Sequence, residues 1–227
     1  MSVKRHLFAP VTALMLAVGA IAAGAFSASA ATPACGPSCV SVFSKELGSF
    51  DQPGPVEDVL DGVAAIGQPL ILKQASSSDS SEDTVANVMP VPGFHAAGMV
   101  SAQVNMQYGG LLAAQIQYAP NGVRTGLCVG LATIAYQDEG LTLQPCSVPG
   151  VTVWILDAAG STAAGYFAIV NASTTDFNHP FAMDLPQDEV VSAHQQLQIH
   201  VRRLQFLGHG KSLPDRQLWG IHRGPFN

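Results

Sequence analysis

Between Gly126 and Asp157 the chain reads GLCVGLATIAYQDEGLTLQPCSVPGVTVWILD, and no other stretch restricts the fold as tightly. Leu141 and Leu143 alternate with Thr142 and Gln144, the period of a strand with one buried face. Three short β-rich pieces each end in Gly, Pro or Asp, the residues that turn a chain. Cys128 and Cys146 bracket the first two pieces, and Trp154 begins the third. Such a unit has one apolar face and needs similar units beside it to bury that face.

Two weaker copies are present. In Val42–Val88, Gly67-Gln-Pro-Leu70-Ile-Leu72-Lys73-Gln-Ala75 parallels Gly140 to Cys146, with Ala75 in place of the cysteine. In Gly165–Gly224, Phe181-Ala-Met-Asp184 parallels Leu127 to Gly130, Leu197-Gln-Ile-His-Val201 parallels the Leu141 strand, and Gln217-Leu-Trp219 follows. The pattern resembles the repeat of ricin-type β-trefoil lectins, which carries Cys-Leu-Asp near its start, an apolar strand ending in Cys, and then Gln-x-Trp. The resemblance implies an all-β fold, a β-trefoil with three imperfect four-strand repeats at about 42–110, 111–160 and 165–227. The segment 89–110 reads as an insertion plus a hairpin, with Val100–Tyr108 a strand that turns Val104 and Met106 to one face. No amphipathic helix is expected after the N-terminal leader.

The resemblance also implies where a sugar would sit. In that family an Asp accepts hydrogen bonds from two adjacent hydroxyls, an aromatic ring stacks on the sugar, and Asn or Gln orients them. Aligned this way, the acid positions are Asp61, Gly130 and Asp184, and the ring positions are Lys73, Gln144 and His200. The third repeat, with Asp184, His200 and Gln217, is then the leading carbohydrate-binding set, and Asp61 with Lys73 is second. The second repeat lacks acid and ring and reads as structural. Each residue also has a plainer reading: Asp184 as a turn cap before Leu-Pro, His200 as a solvated strand residue, and Gln217 as a support for the backbone. Trp154 and Trp219 read as core.

The N-terminus carries a different signal. Lys4 and Arg5 precede an apolar run from Leu7 to Phe26, and Ala28-Ser-Ala30 supplies a cleavage pattern. Residues 1–30 are expected to be a secretory signal peptide rather than an anchor, which makes the protein secreted with no membrane span after cleavage. The chain has 227 residues and a net charge of −6; without the two basic residues of that segment the charge is −8. An acidic exported chain is a poor nucleic-acid binder. Five of its basic residues do fall between Arg202 and Arg223, as a solvated face or a surface for an anionic polymer. Few Lys and much Ala, Gly and Val suggest a bacterial source.

Four cysteines in an exported protein are expected to be oxidised, with three pairings possible. The family resemblance pairs Cys128 with Cys146, leaving Cys35 with Cys39 to tie a leader at 31–41. A metal site at that C-x3-C has no matching second pair. No Gly-x-Ser-x-Gly, His-Glu-x-x-His or phosphate loop occurs, and no cofactor is expected. Acids in Asp176–Glu189 suffice in number for acid/base chemistry but share no motif. The expected function is therefore a non-catalytic module that binds a glycan or cell-envelope polysaccharide. The alternative is a protein-binding or inhibitor-like trefoil, with the Ser-rich loop Ser76–Asp83 as its display segment. A secreted hydrolase is a third reading.

Overall fold

The computed structural model describes residues 38–52, 54–76, 78–186, 196–207 and 212–224. The expected signal peptide at 1–30, Cys35 and the acids Asp188 and Glu189 lie outside these residues. Fourteen strands run in chain order: β1 (Cys39–Ser44), β2 (Pro55–Val59), β3 (Leu70–Gln74), β4 (Thr84–Pro90), β5 (Leu112–Tyr118), β6 (Leu127–Gly130), β7 (Glu139–Gly140), β8 (Thr142–Pro145), β9 (Trp154–Asp157), β10 (Tyr166–Asn171), β11 (Phe181–Asp184), β12 (Leu197–Gln198), β13 (His200–Arg203) and β14 (Trp219–Arg223). Six of them, β1, β4, β5, β9, β10 and β14, pair in that cyclic order and close a barrel without an edge. Three antiparallel hairpins, β2–β3, β6–β8 and β11–β13, extend from it.

One ring of hydrogen bonds defines the symmetry. Leu70 N–H donates to Leu141 O at 3.0 Å, Leu141 N–H to Ile199 O at 2.8 Å, and Ile199 N–H to Leu70 O at 3.0 Å. Each amide leaves its own ladder to join the next repeat. That diversion interrupts β7/β8 at Leu141 and β12/β13 at Ile199. Counted as single strands, these give three sets of four, and the fold is a β-trefoil.

The core follows the same axis. Leu70, Leu72, Leu141, Leu143, Ile199 and Val201 are all buried around it. Trp154 and Trp219 are fully buried, and each indole N–H donates to a carbonyl of its own repeat, Val129 O at 2.8 Å and Met183 O at 2.9 Å. A buried indole needs such a partner for its one donor. The first repeat has Thr84 at this point, bonded through Oγ1 to Val40 O. Cys128 and Cys146 form a disulfide, and Cys39 is also disulfide-bonded, which removes it as a metal ligand.

Several sequence expectations are corrected. The segment Val100–Tyr108 is not a strand: α1 (Val91–Ala96) and α2 (Ala102–Tyr108) lie between the first two repeats. Ser101 caps α2 by accepting from Val104 N–H, and the helical period buries Val104 and Tyr108 while Met106 is exposed. Val104, Tyr108 and Phe94 of α1 fill a second apolar cluster with Val153, Ile155 and Val170. Cys39–Ser41, expected in the leader, already belong to β1: Val40 and Ser41 pair with β14, and Cys39 pairs with Val85 of β4. Among the described residues no helix is long and apolar enough to cross a membrane.

The third repeat was aligned two residues out of register. The hydrogen-bonded ring equates Ile199, not Leu197, with Leu70 and Leu141. His200 therefore matches Ile71 and Thr142, and the partner of Lys73 and Gln144 is Arg202. In the first repeat the strand partner of Ile71 is Asp58, as Asp184 is the partner of His200 and Gly130 of Thr142. The acid equivalent to Asp184 is thus Asp58. Asp61 lies three residues on, in a 3-10 turn past the end of β2. Val59-Leu60-Asp61 copies the Cys-Leu-Asp of the family pattern apart from the cysteine and so points to Asp61, while Glu57 occupies an inward position that holds Val129 and Met183 in the other repeats.

Candidate functional site

In the third repeat, β11 and β13 bring Asp184 and His200 side by side, and a 3-10 turn (Asp215–Gln217) folds over them. Gln217 Nε2 donates to Asp184 Oδ2 at 2.7 Å, and Arg216 Nε donates to Oδ1 at 2.7 Å. Gln217 also accepts from Gln205 N–H and donates to Arg203 O, so it locks the turn to the sheet. Asp184 is only 1% exposed. Burial pushes its carboxyl upward, against the pull of Arg216. The three residues singled out from sequence are assembled at one place, and an arginine of the same repeat lies on the acid.

The first repeat builds the same frame with different side chains. Asp58, Val56, Ile71 and Lys73 share the outer face of the β2–β3 hairpin, because partners and second neighbours face alike. A 3-10 turn (Ser80–Glu82) folds over them, as residues 215–217 do in the third repeat. Its Ser81 takes the place of Arg216, and Glu82 the place of Gln217. Ser81 is too short to fill the space, and a cleft of about 400 Å³ remains. Asp58 lies in its floor, and Asp61, Lys73, Asp79, Ser81 and Gln196 line its walls.

Asp61 reaches the cleft by a strained path. Its φ is +56°, next to Gly62 at +64°, a left-handed pair that Asp tolerates better than most residues. Tyr118 Oη donates to Gly62 O at 3.0 Å and pins that turn. Opposite it, Asp79 accepts from Ser81 N–H at 3.0 Å and caps the turn Ser80–Glu82. Ser81 Oγ lies 2.8 Å from Asp58 Oδ2 and 2.5 Å from Asp79 Oδ1, so one hydroxyl hydrogen serves two carboxylates. The Lys73 ammonium pairs with Asp79 and stands 3.8 Å from Asp58.

The electrostatics follow from depth. Asp58 is 1% exposed, and burial pushes its carboxyl up to about 6, although Ser81 and Lys73 pull the other way. Burial would also raise Asp79, but the bonds from Lys73 and Ser81 hold it below the usual carboxylate range. The hydrogen bond to Asp79 raises Lys73 in turn. The cleft thus presents acceptors at Asp61 and Asp79, a fixed ammonium, and hydroxyl and amide groups, with no aromatic wall among the described residues.

The second repeat lacks the acid of the other two. Gly130 replaces the acid, and a Cβ there would lie 3.0 Å from Val151 O and from the Thr152 methyl. Three of the five basic residues of the C-terminal segment are paired: Arg202 with Asp138, Arg203 with Asp176 and Arg216 with Asp184. Among the described residues no three His, Cys, Asp or Glu side chains are placed to hold a metal.

Asp58, Asp79, Ser81 and Gln196 were not found from the sequence. One signal pointed to Asp58: Glu82 aligns with Gln217, so the repeat should carry its acid on the strand beneath that turn. The cleft itself depends on the size of residue 81, which no motif records.

No protein-family model matches the sequence, and no curated protein resembles it closely enough to count as a relative. Solved structures do resemble the fold. An exo-β-1,3-galactanase from Clostridium thermocellum aligns with TM-score 0.52 at 13% identity, over 82% of this chain and 30% of that one. A designed threefold-symmetric protein aligns with TM-score 0.50 at 12% identity, over 81% and 97%. A mosquitocidal holotoxin aligns with TM-score 0.50 at 11% identity, over 82% and 17%. The chain thus spans under a third of the galactanase and of the toxin. At these identities the likeness establishes the β-trefoil fold alone.

Proposed function

We propose that this chain is a secreted, non-catalytic lectin-like module that binds a carbohydrate in the first-repeat cleft. The observation that carries the reading is the open cleft over Asp58, at the position where Arg216 covers Asp184 in the third repeat. Adjacent sugar hydroxyls are donors and acceptors at fixed spacing, and Asp61, Asp79 and Lys73 offer the complementary set. The cleft is shallow and polar, so affinity rests on a few charge-assisted hydrogen bonds, each worth about 1.5–3 kcal/mol. The galactanase neighbour is named for a β-1,3-galactan, so a screen begins with galactose-containing polymers and goes on to cell-envelope polysaccharides. Secretion rests on the sequence of residues 1–30.

A glycan array with the purified mature domain tests this reading, followed by calorimetry on Asp61→Asn and Lys73→Ala. Each substitution is expected to weaken binding about tenfold or more, since losing one such bond exceeds about 1.4 kcal/mol. An empty array across plant, microbial and envelope glycans would refute it. A second reading, a protein-binding trefoil, is favoured by one observation: Ile66, Ile134 and Tyr136 are exposed on hairpin loops. A protein ligand that stays bound to Asp61→Asn and Lys73→Ala would select that reading.

A further inference from the structure

The floor of the cleft holds more carboxyl groups than its donors can serve. In the third repeat the Gln217 amide donates to Asp184 Oδ2. At the matching place the first repeat has Glu82, and a carboxylate has no hydrogen to give. Glu82 keeps the backbone half of the role: its Oε1 accepts from Ser76 N–H at 2.8 Å, as Gln217 accepts from Gln205. Its other oxygen, Oε2, is buried without a hydrogen-bond partner among the described residues, and so is Asp58 Oδ1. The two orphaned carboxyl oxygens thus belong to the residues whose counterparts in the third repeat share an amide–carboxylate bond.

We infer that Asp58 and Glu82 share one proton, and that this proton fastens the turn Ser80–Glu82 over β2 and so shapes the cleft. The hydrogen on one carboxyl donates to the other, as Gln217 donates to Asp184. Removal of the proton leaves two buried carboxylates face to face, which like-charge repulsion and desolvation both oppose. The turn then lifts, carrying Ser80, Ser81 and Asp79 away from the cleft.

The surrounding charges point the same way. Around the pair stand Lys73 on β3, Asp79 and Asp83 at the two ends of the turn, Glu57 on β2, Asp61 at the rim and Tyr118 on β5. The one cation among them, Lys73, is already bonded to Asp79. Burial first, and then the neighbouring acids Asp58, Asp79 and Asp83, push Glu82 up to about 7. The consequence for a ligand rests on the carbohydrate reading above: binding holds in mild acid and is lost as the pH rises past neutrality. The shared proton itself does not depend on that reading.

The test uses the whole mature domain and no ligand. Site-resolved carbon NMR of the side-chain carboxyls follows each acid with pH, which separates Glu57 from the pair. One proton is expected to remain on Asp58 or Glu82 to about pH 7, against about 4 for free side chains. Amide exchange protection of Ser80 to Asp83 should fall about tenfold or more between about pH 5.5 and pH 8. In Glu82→Gln, whose amide copies Gln217, that fall should shrink to under about twofold. Ionisation of both carboxyls below about pH 5, or an unchanged exchange profile in Glu82→Gln, would overturn the inference. A failed glycan screen would leave it standing, and a failed titration would leave the carbohydrate reading standing.

Discussion

The first and third repeats share a backbone frame and differ in what covers the acid. Over Asp184 lies Arg216, whose guanidinium bonds to it at 2.7 Å, with Gln217 completing the pair. Over Asp58 lies Ser81, a far shorter side chain than arginine, with space above it and Glu82 beside it. The third repeat has also kept its tryptophan in the core, and the first has Thr84. One copy is therefore optimised for stability and its neighbour is left open. A repeated fold can divide labour in this way because each copy is held by its neighbours through the ring at Leu70, Leu141 and Ile199.

The largest effect should come from the closed copy. Trp219→Ala removes a fully buried ring with a satisfied N–H, at about 3–5 kcal/mol. For a domain of this size that lowers Tm by roughly 6–20 °C. Thr84→Ala, at the equivalent place, should cost about 1 kcal/mol through its bond to Val40 O. Equal losses at the two sites in thermal melts would break the comparison.

Next comes the lid on Asp184. Arg216→Ala strands a buried carboxylate whose other partner is Gln217, and should cost about 2–3 kcal/mol in denaturant unfolding. Ser81→Ala at the matching position removes one hydroxyl shared by two carboxylates, and should cost under about 1 kcal/mol.

A third expectation concerns pH. Glu57, Asp58 and Glu82 have ordinary values of 4.5, 3.8 and 4.5, and burial raises them to about 8, 6 and 7. The folded protein therefore holds protons that the unfolded chain releases. The stabilisation from these acids is complete below their unfolded values and is lost as pH rises through about 6 to 8. Asp79, Asp138 and Asp176 are lowered by their cations and act oppositely, losing stability as pH falls through their folded values. Melting temperature should be highest near pH 5 and fall toward pH 8. Glu82→Gln should flatten the fall, and a melting temperature that climbs from pH 5 to 8 would contradict the account.

The fold was legible because its signals are local and repeated. Alternation at Leu141 and Leu143, turn residues between short strands and Gln-Leu-Trp219 each report one repeat, and three repeats vote together. The helices were missed because Val100–Tyr108 buries Val100, Val104 and Tyr108, a spacing of four that fits a period of 2 as well as one of 3.6. The site was less legible. The two-residue slip at Leu197 and Ile199 preserved the alternation, so the apolar pattern fitted both registers and only the cross-repeat hydrogen bonds decided between them. Asp61 was chosen for its neighbour Leu60, while Asp58 stood beside Glu57, an acid at a core position where Val or Met was expected. Glu57 is buried and, with its carboxyl pushed up to about 8, neutral.

The most direct test of the division between the two copies is an amide NMR titration of the mature domain at about pH 5.5 with galactose, N-acetylgalactosamine, glucose and mannose. The account predicts that a binding sugar shifts Asp61, Gly62, Ser80 and Ser81, leaves Asp184, His200 and Arg216 unmoved, and shifts none of these residues in Ser81→Arg, where the arginine closes the first cleft as Arg216 closes the third. Shifts centred on Asp184 and His200 that persist in Ser81→Arg would contradict it.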